Sequence, residues 1–128
     1  MTYYISKIVD YSFDDALIKV HEELKKEGFG VLTEIDVQST LKNKLNVDFR
    51  KYKILGACNP PLAHKAMKAE DKIGVLLPCN VIVQETEDKK IEVAFMNPIV
   101  AMQAVKNEAL GQIAEEVTGK LKKVYELL

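Results

Sequence analysis

The sequence predicts an α/β protein of the α+β kind: a two-layer sandwich with one mixed sheet and helices packed on one face. The expected order is β-α-β-(α)-β-α-β-β-α. Three observations predict it. Short runs of β-branched and aromatic residues alternate with segments whose apolar residues recur at helical spacing. Good N-capping residues stand at the start of those helical segments, at Ser12, Asp36, Asn59 and Asn97. The hydrophobic fraction of 48% and charged fraction of 29% suit a globular chain and exclude wholesale disorder.

Each element follows from local chemistry. Tyr3 to Val9 is aromatic and β-branched, and reads as a strand. Ser12 and Asp15 stand at capping-box spacing before Phe13, Ala16, Leu17, Val20 and Leu24, one apolar helix face. Asp14 and Asp15 suit the positive end of that helix. Gly28 and Gly30 end it. Phe29 to Ile35 is a second strand. Asp36 caps a short helix through Leu45. Tyr52 to Cys58 is nearly continuous in apolar character, which places it inside the sheet. Asn59-Pro60-Pro61 opens a helix to about Glu70, since Asn is a good cap and proline suits the first helical position. Ile73 to Val83 reads as a strand interrupted by Pro78, which calls for a bulge or an edge position. Glu85 to Lys90 turns into a strand at Ile91 to Met96, a hairpin partner. Asn97-Pro98 begins another helical or turn segment. A final amphipathic helix from about Glu108 to Leu127 carries Leu110, Ile113, Val117, Leu121 and Val124 on its core face, and Gly119 weakens it by roughly 1 kcal/mol relative to Ala.

The 128 residues suit one domain, residues 1–128, and no Pro-, Gly- or Ser-rich linker divides them. The formal net charge is −1, with lysines interleaved among acidic residues, so no nucleic-acid partner and no anionic membrane surface is expected. No apolar run approaches the roughly 20 residues that span a bilayer. Met1 to Lys7 lacks a charged region followed by an apolar stretch, so a cytoplasmic location is expected. The two cysteines are then expected to be reduced.

The unusual residues concentrate between Cys58 and Cys79. Cys58-Asn59-Pro60-Pro61-Leu62-Ala63-His64-Lys65-Ala66 also echoes Met96-Asn97-Pro98-Ile99-Val100-Ala101-Met102-Gln103-Ala104. Twice, a strand ends in Asn-Pro and a helix begins.

Ile54-Leu55-Gly56-Ala57-Cys58-Asn59-Pro60, then Ala63-His64-Lys65-Ala66, then Ile73-Gly74-Val75-Leu76-Leu77-Pro78-Cys79-Asn80-Val81 resembles the central region of the domain of unknown function family 302. The resemblance extends over nearly the whole chain. It implies a small two-layer α/β fold that forms a homodimer, and no established activity. The family pattern maps onto Cys58, Asn59, Pro60, His64, Pro78, Cys79 and Asn80, all present here.

Strands 52–58 and 73–83, joined through a helix, are expected to run parallel in a right-handed crossover. That pairing would bring Cys58, His64 and Cys79 to one sheet edge, where open α/β sheets bind ligands. The expected function is a small-ligand-binding or accessory domain with its pocket at Cys58, Asn59, His64, Cys79 and Asn80. Two alternatives share the site. Cys58, His64 and Cys79 are ligand types for Zn or Cu(I), although no zinc-finger spacing is present. Cys58 precedes a helix, the setting of reactive thiolates, with His64 as a base and Cys79 as a resolving thiol. A structural reading also stands, with both cysteines as small buried apolar residues and His64 on the exposed side among Lys65 and Lys68. Asp and Glu form no isolated pair in an apolar setting, and no glycine loop suits a phosphate.

Overall fold

The structure is a computed structural model and describes residues 2–128. Five strands, β1 (Tyr4–Val9), β2 (Gly30–Asp36), β3 (Tyr52–Cys58), β4 (Cys79–Glu85) and β5 (Ile91–Met96), form one sheet in the order β1-β5-β4-β3-β2. Every neighbouring pair is antiparallel. The helices are α1 (Phe13–Lys26), α2 (Val37–Leu45), α3 (Pro60–Ala69), α4 (Pro98–Met102) and α5 (Glu108–Glu126), with a 3-10 segment at Asp71–Leu76.

Alternation along the strands separates the two faces of the sheet. Leu55, Val81 and Phe95 are successive cross-strand partners, and all three are buried. They meet Leu17, Val20 and Leu24 of α1 and Val117, Leu121 and Val124 of α5 in the main core. Burying such a side chain contributes roughly 1.5–3 kcal/mol relative to leaving it in water. Lys7 also lies on this face, and its ammonium donates at 3.1 Å to the Tyr125 carbonyl, which also accepts from the Leu128 amide, so Lys7 ties β1 to the last turn of α5.

The predicted caps are present. Ser12 Oγ accepts from the Asp15 amide at 3.1 Å, and Asp36 Oδ1 accepts from the Ser39 amide at 2.9 Å. Gly28 follows α1 with φ of +84°, a conformation that a Cβ would strain. Glu23 on α1 is only 1% exposed. Lys26 donates to its carboxylate at 2.8 Å and Lys19 lies 3.2 Å away. The bond from Lys26 holds this carboxyl below its usual range, against the opposing effect of burial.

The expected parallel crossover is overturned. β3 and β4 are antiparallel, with Ala57 opposite Cys79, so the sheet is wholly antiparallel and not mixed. The cause lies in the connection. The 10 residues of α3 carry the chain about 15 Å at 1.5 Å per residue. The 3-10 segment packed against α3 returns it by about 12 Å at 2.0 Å per residue. The chain therefore re-enters the sheet at the edge it left. Residues 73–76, expected to be strand, belong to this return. Pro78 needs no bulge and no edge position, because β4, the middle strand of the sheet, begins directly after it.

Candidate functional site

β3 and β5 run in the same direction and end at the same edge, on either side of the first residue of β4. Each ends in Asn-Pro and starts a helix. The internal echo is thus a structural device: it sets α3 and α4 as two walls flanking Cys79, and α5 packs against both.

Asn59 shows how the device works. Its Oδ1 accepts from the Leu62 amide at 3.4 Å, and its Nδ2 donates to the Glu27 carbonyl at 3.3 Å. One side chain caps α3 and ties down the end of α1. Asn97 does the same for α4, accepting from the Ile99 amide at 3.1 Å and donating to the Thr2 carbonyl at 3.2 Å. Asn107 repeats it for α5, accepting from Ala109 and donating to the Ala69 carbonyl at 2.8 Å. Pro60 and Pro61 carry no amide hydrogens, Leu62 is held by Asn59, and the Ala63 amide donates to the Asn59 carbonyl. The start of α3 therefore has no free donor for an anion.

Between these walls lies a cavity of about 50 Å³. Its lining is apolar, with Phe29, Leu62, Ala66, Ile73, Leu77, Leu110, Ile113 and Ala114 among the wall residues. Cys58, Cys79 and Met102 also line it, and Asn59 and Pro98 complete the strand-end rim. An apolar cavity of about 150 Å³ accepts benzene. A third of that volume suits a ligand of a few heavy atoms.

The candidate residues separate. Cys58 and Cys79 both line the cavity as free thiols, Cys58 half-buried and Cys79 buried. Burial, with a smaller effect of Cys58, pushes the Cys79 thiol up to about 11. Asn59 lines the cavity, but its amide is committed to capping. His64 lies exposed on α3 and does not line the cavity. Leu62 and Ala66 are the buried residues of that helix, and His64, two residues from each, is rotated by about 200° to the opposite side. Asn80 follows Cys79 in the strand, so it points to the other face of the sheet. There it lines an open groove of about 510 Å³ with Tyr4, Arg50, Tyr52, Gln84 and Glu92. Among the described residues, no group of three or more His, Cys, Asp or Glu stands where it could hold a metal ion. Met102, Leu110 and Ile113 are wall residues that the expected pocket omitted. Their signal was the Asn97-Pro98 echo, which places a second helix beside the first.

The domain of unknown function model DUF302 matches residues 5–128. The chain belongs to the DUF302 family. It is similar to the crystal structure of an uncharacterized conserved DUF302 protein from Bacillus stearothermophilus, with 25% identity and a TM-score of 0.92. That likeness covers 99% of this chain and 98% of the other. No curated protein matches the sequence significantly. The DUF302 fold thus extends through both Asn-Pro units. No helix here is long and apolar enough to cross a membrane among the described residues.

Proposed function

We propose that this DUF302 chain is a small-ligand-binding domain, with its site in the cavity between α3, α4, α5 and the start of β4. The observation that carries this reading is an apolar space of about 50 Å³ with two thiols in its wall, framed by two capped helices. Rigid caps hold the walls apart, and apolar walls favour a ligand that needs few hydrogen bonds. The test is a xenon titration followed by methyl NMR. Saturable shifts are expected at Leu62, Ile73, Leu77 and Ile113, and they should vanish in Ala114→Leu, which fills the space. Shifts spread over the surface, or unchanged in that variant, contradict the reading.

We also propose a homodimer, with a second copy on the open face of the sheet. Ile35, Ile54, Ile82 and Ala94 form an apolar row across four strands. Ile35 is 47% exposed, and Ile8 on the same face is 51% exposed, an apolar surface of the kind that marks an interface. Arg50 and Glu92 border the groove on this face with opposite charges. Opposite charges on one patch suit a self-complementary two-fold contact, which favours a second copy of this chain. Sedimentation velocity at micromolar concentration should show a dimer, and Ile82→Lys should give a monomer. A wild-type protein that sediments as a monomer excludes this assembly.

A further inference from the structure

The geometry points to an unbranched aliphatic chain, alkyl or acyl, as the ligand of the apolar cavity, bound tail first past Leu77 and Met102 with Leu76 beyond them. This inference rests on the cavity being a binding site. Size sets the first limit. An apolar cavity of about 150 Å³ accepts benzene, and this one has about 50 Å³. A six-membered ring is too large for it, while the last few carbons of a chain fit.

Chemistry sets the second limit. No side chain in the wall carries a charge. The one amide, Asn59, already accepts from the Leu62 amide and donates to the Glu27 carbonyl. A ligand group that needs hydrogen bonds or a counter-charge would lose its water on entry and gain no partner. The methyl end of a chain has nothing to lose.

The wall also has an open side. Ala66, Ile73 and Leu110 are buried, whereas Leu77 and Met102, which pack against them, are only half-buried. The 3-10 segment carries the apolar surface outward from there. Side chains three residues apart eclipse in such a helix, so Leu76 stands on the same side as Ile73. Ile73 is 1% exposed and Leu76 is 37% exposed. An apolar track thus leads from the buried wall at Ile73 to solvent at Leu76. A closed apolar end joined to an open apolar lip takes up a tail and leaves its head group in water.

The test is a set of titrations of the full chain followed by methyl NMR, with the n-alcohols from 1-propanol to 1-hexanol as probes. Saturable shifts are expected at Ile73, Leu77 and Met102. Affinity should rise about fourfold per added methylene, equivalent to the ~0.8 kcal/mol of burying one CH₂ group. Cyclohexanol, with the same number of carbons as 1-hexanol closed into a ring, should bind about tenfold more weakly because the ring cannot enter. Ala114→Leu should remove the Ile73 shift for every probe. Leu76→Ser, at an exposed position, should weaken 1-hexanol about tenfold by removing contact with its outer methylenes, and should leave 1-propanol and xenon binding unchanged. Affinity that is flat with chain length, equal binding of cyclohexanol and 1-hexanol, or shifts that persist in Ala114→Leu overturns the inference. Xenon binding without 1-hexanol binding leaves the cavity reading standing and removes the chain. Absence of both removes the cavity reading itself.

Discussion

Cys79 will resist alkylation at neutral pH while Cys58 reacts first. Burial raises the Cys79 thiol from its ordinary 9.0 to about 11. Two pH units mean roughly a hundredfold smaller thiolate fraction, before any loss of access is counted. The same shift makes stability depend on alkaline pH. Below pH 9 both folded and unfolded chains hold the proton. Between pH 9 and 11 the unfolded chain releases it and the folded chain keeps it, so stability falls as pH rises. Two pH units correspond to about 3 kcal/mol, lost across that window. Urea denaturation of wild type and Cys79→Ala at pH 8 and pH 10.5 measures it. The wild type should lose the advantage that the variant never had. Rapid alkylation of Cys79 near pH 7 would show a thiol far more accessible than this packing allows, and would favour a nucleophilic role.

Gly56→Ala is expected to destabilise the fold by about 1–3 kcal/mol, the usual cost of forcing atoms into a filled site. A Cβ on Gly56 would meet the Thr33 hydroxyl and lie 2.8 Å from Pro78 Cγ. Thr33 follows the irregularity in β2, and Pro78 leads directly into Cys79. The glycine is needed because the chain entering β4 crosses close over β3. A methyl group there pushes on the cavity wall as well as on the sheet. Gly30→Ala is the control: nothing lies within 4 Å of its added Cβ, and its effect should stay within about 0.5 kcal/mol. Equal stability of the two variants, by urea denaturation, would mean that the Gly56 contact is loose.

Much of this fold was legible because capping is local chemistry. Ser12, Asp36 and Asn59 each accept the amide three residues on, as their spacing implied. The two cysteines both line the cavity. The parallel pairing failed for a different reason. Ile73, Val75, Leu76 and Leu77 form an apolar run too short to reveal its period. Folded, only Ile73 of the 3-10 segment is buried, and Val75 is 83% exposed. A strand reading needed those residues inside; the 3-10 return buries Ile73 and leaves Val75 and Leu76 exposed. His64 was readable in part. Its spacing from Leu62 and Ala66 already put it on the far side of the helix. The burial of Glu23 was not readable, because it depends on Lys19 and Lys26 supplying charge along one face while the helix packs down.

The Asn-Pro echo carried more information than its length suggested. It fixes two helix starts beside one strand start, and the space between them is the cavity. A crystal held under xenon pressure tests this account most directly. The account predicts one ordered xenon between Cys58, Cys79, Met102 and Ala114. Xenon bound instead on the open sheet face near Asn80, or no ordered xenon in the chain, would contradict it.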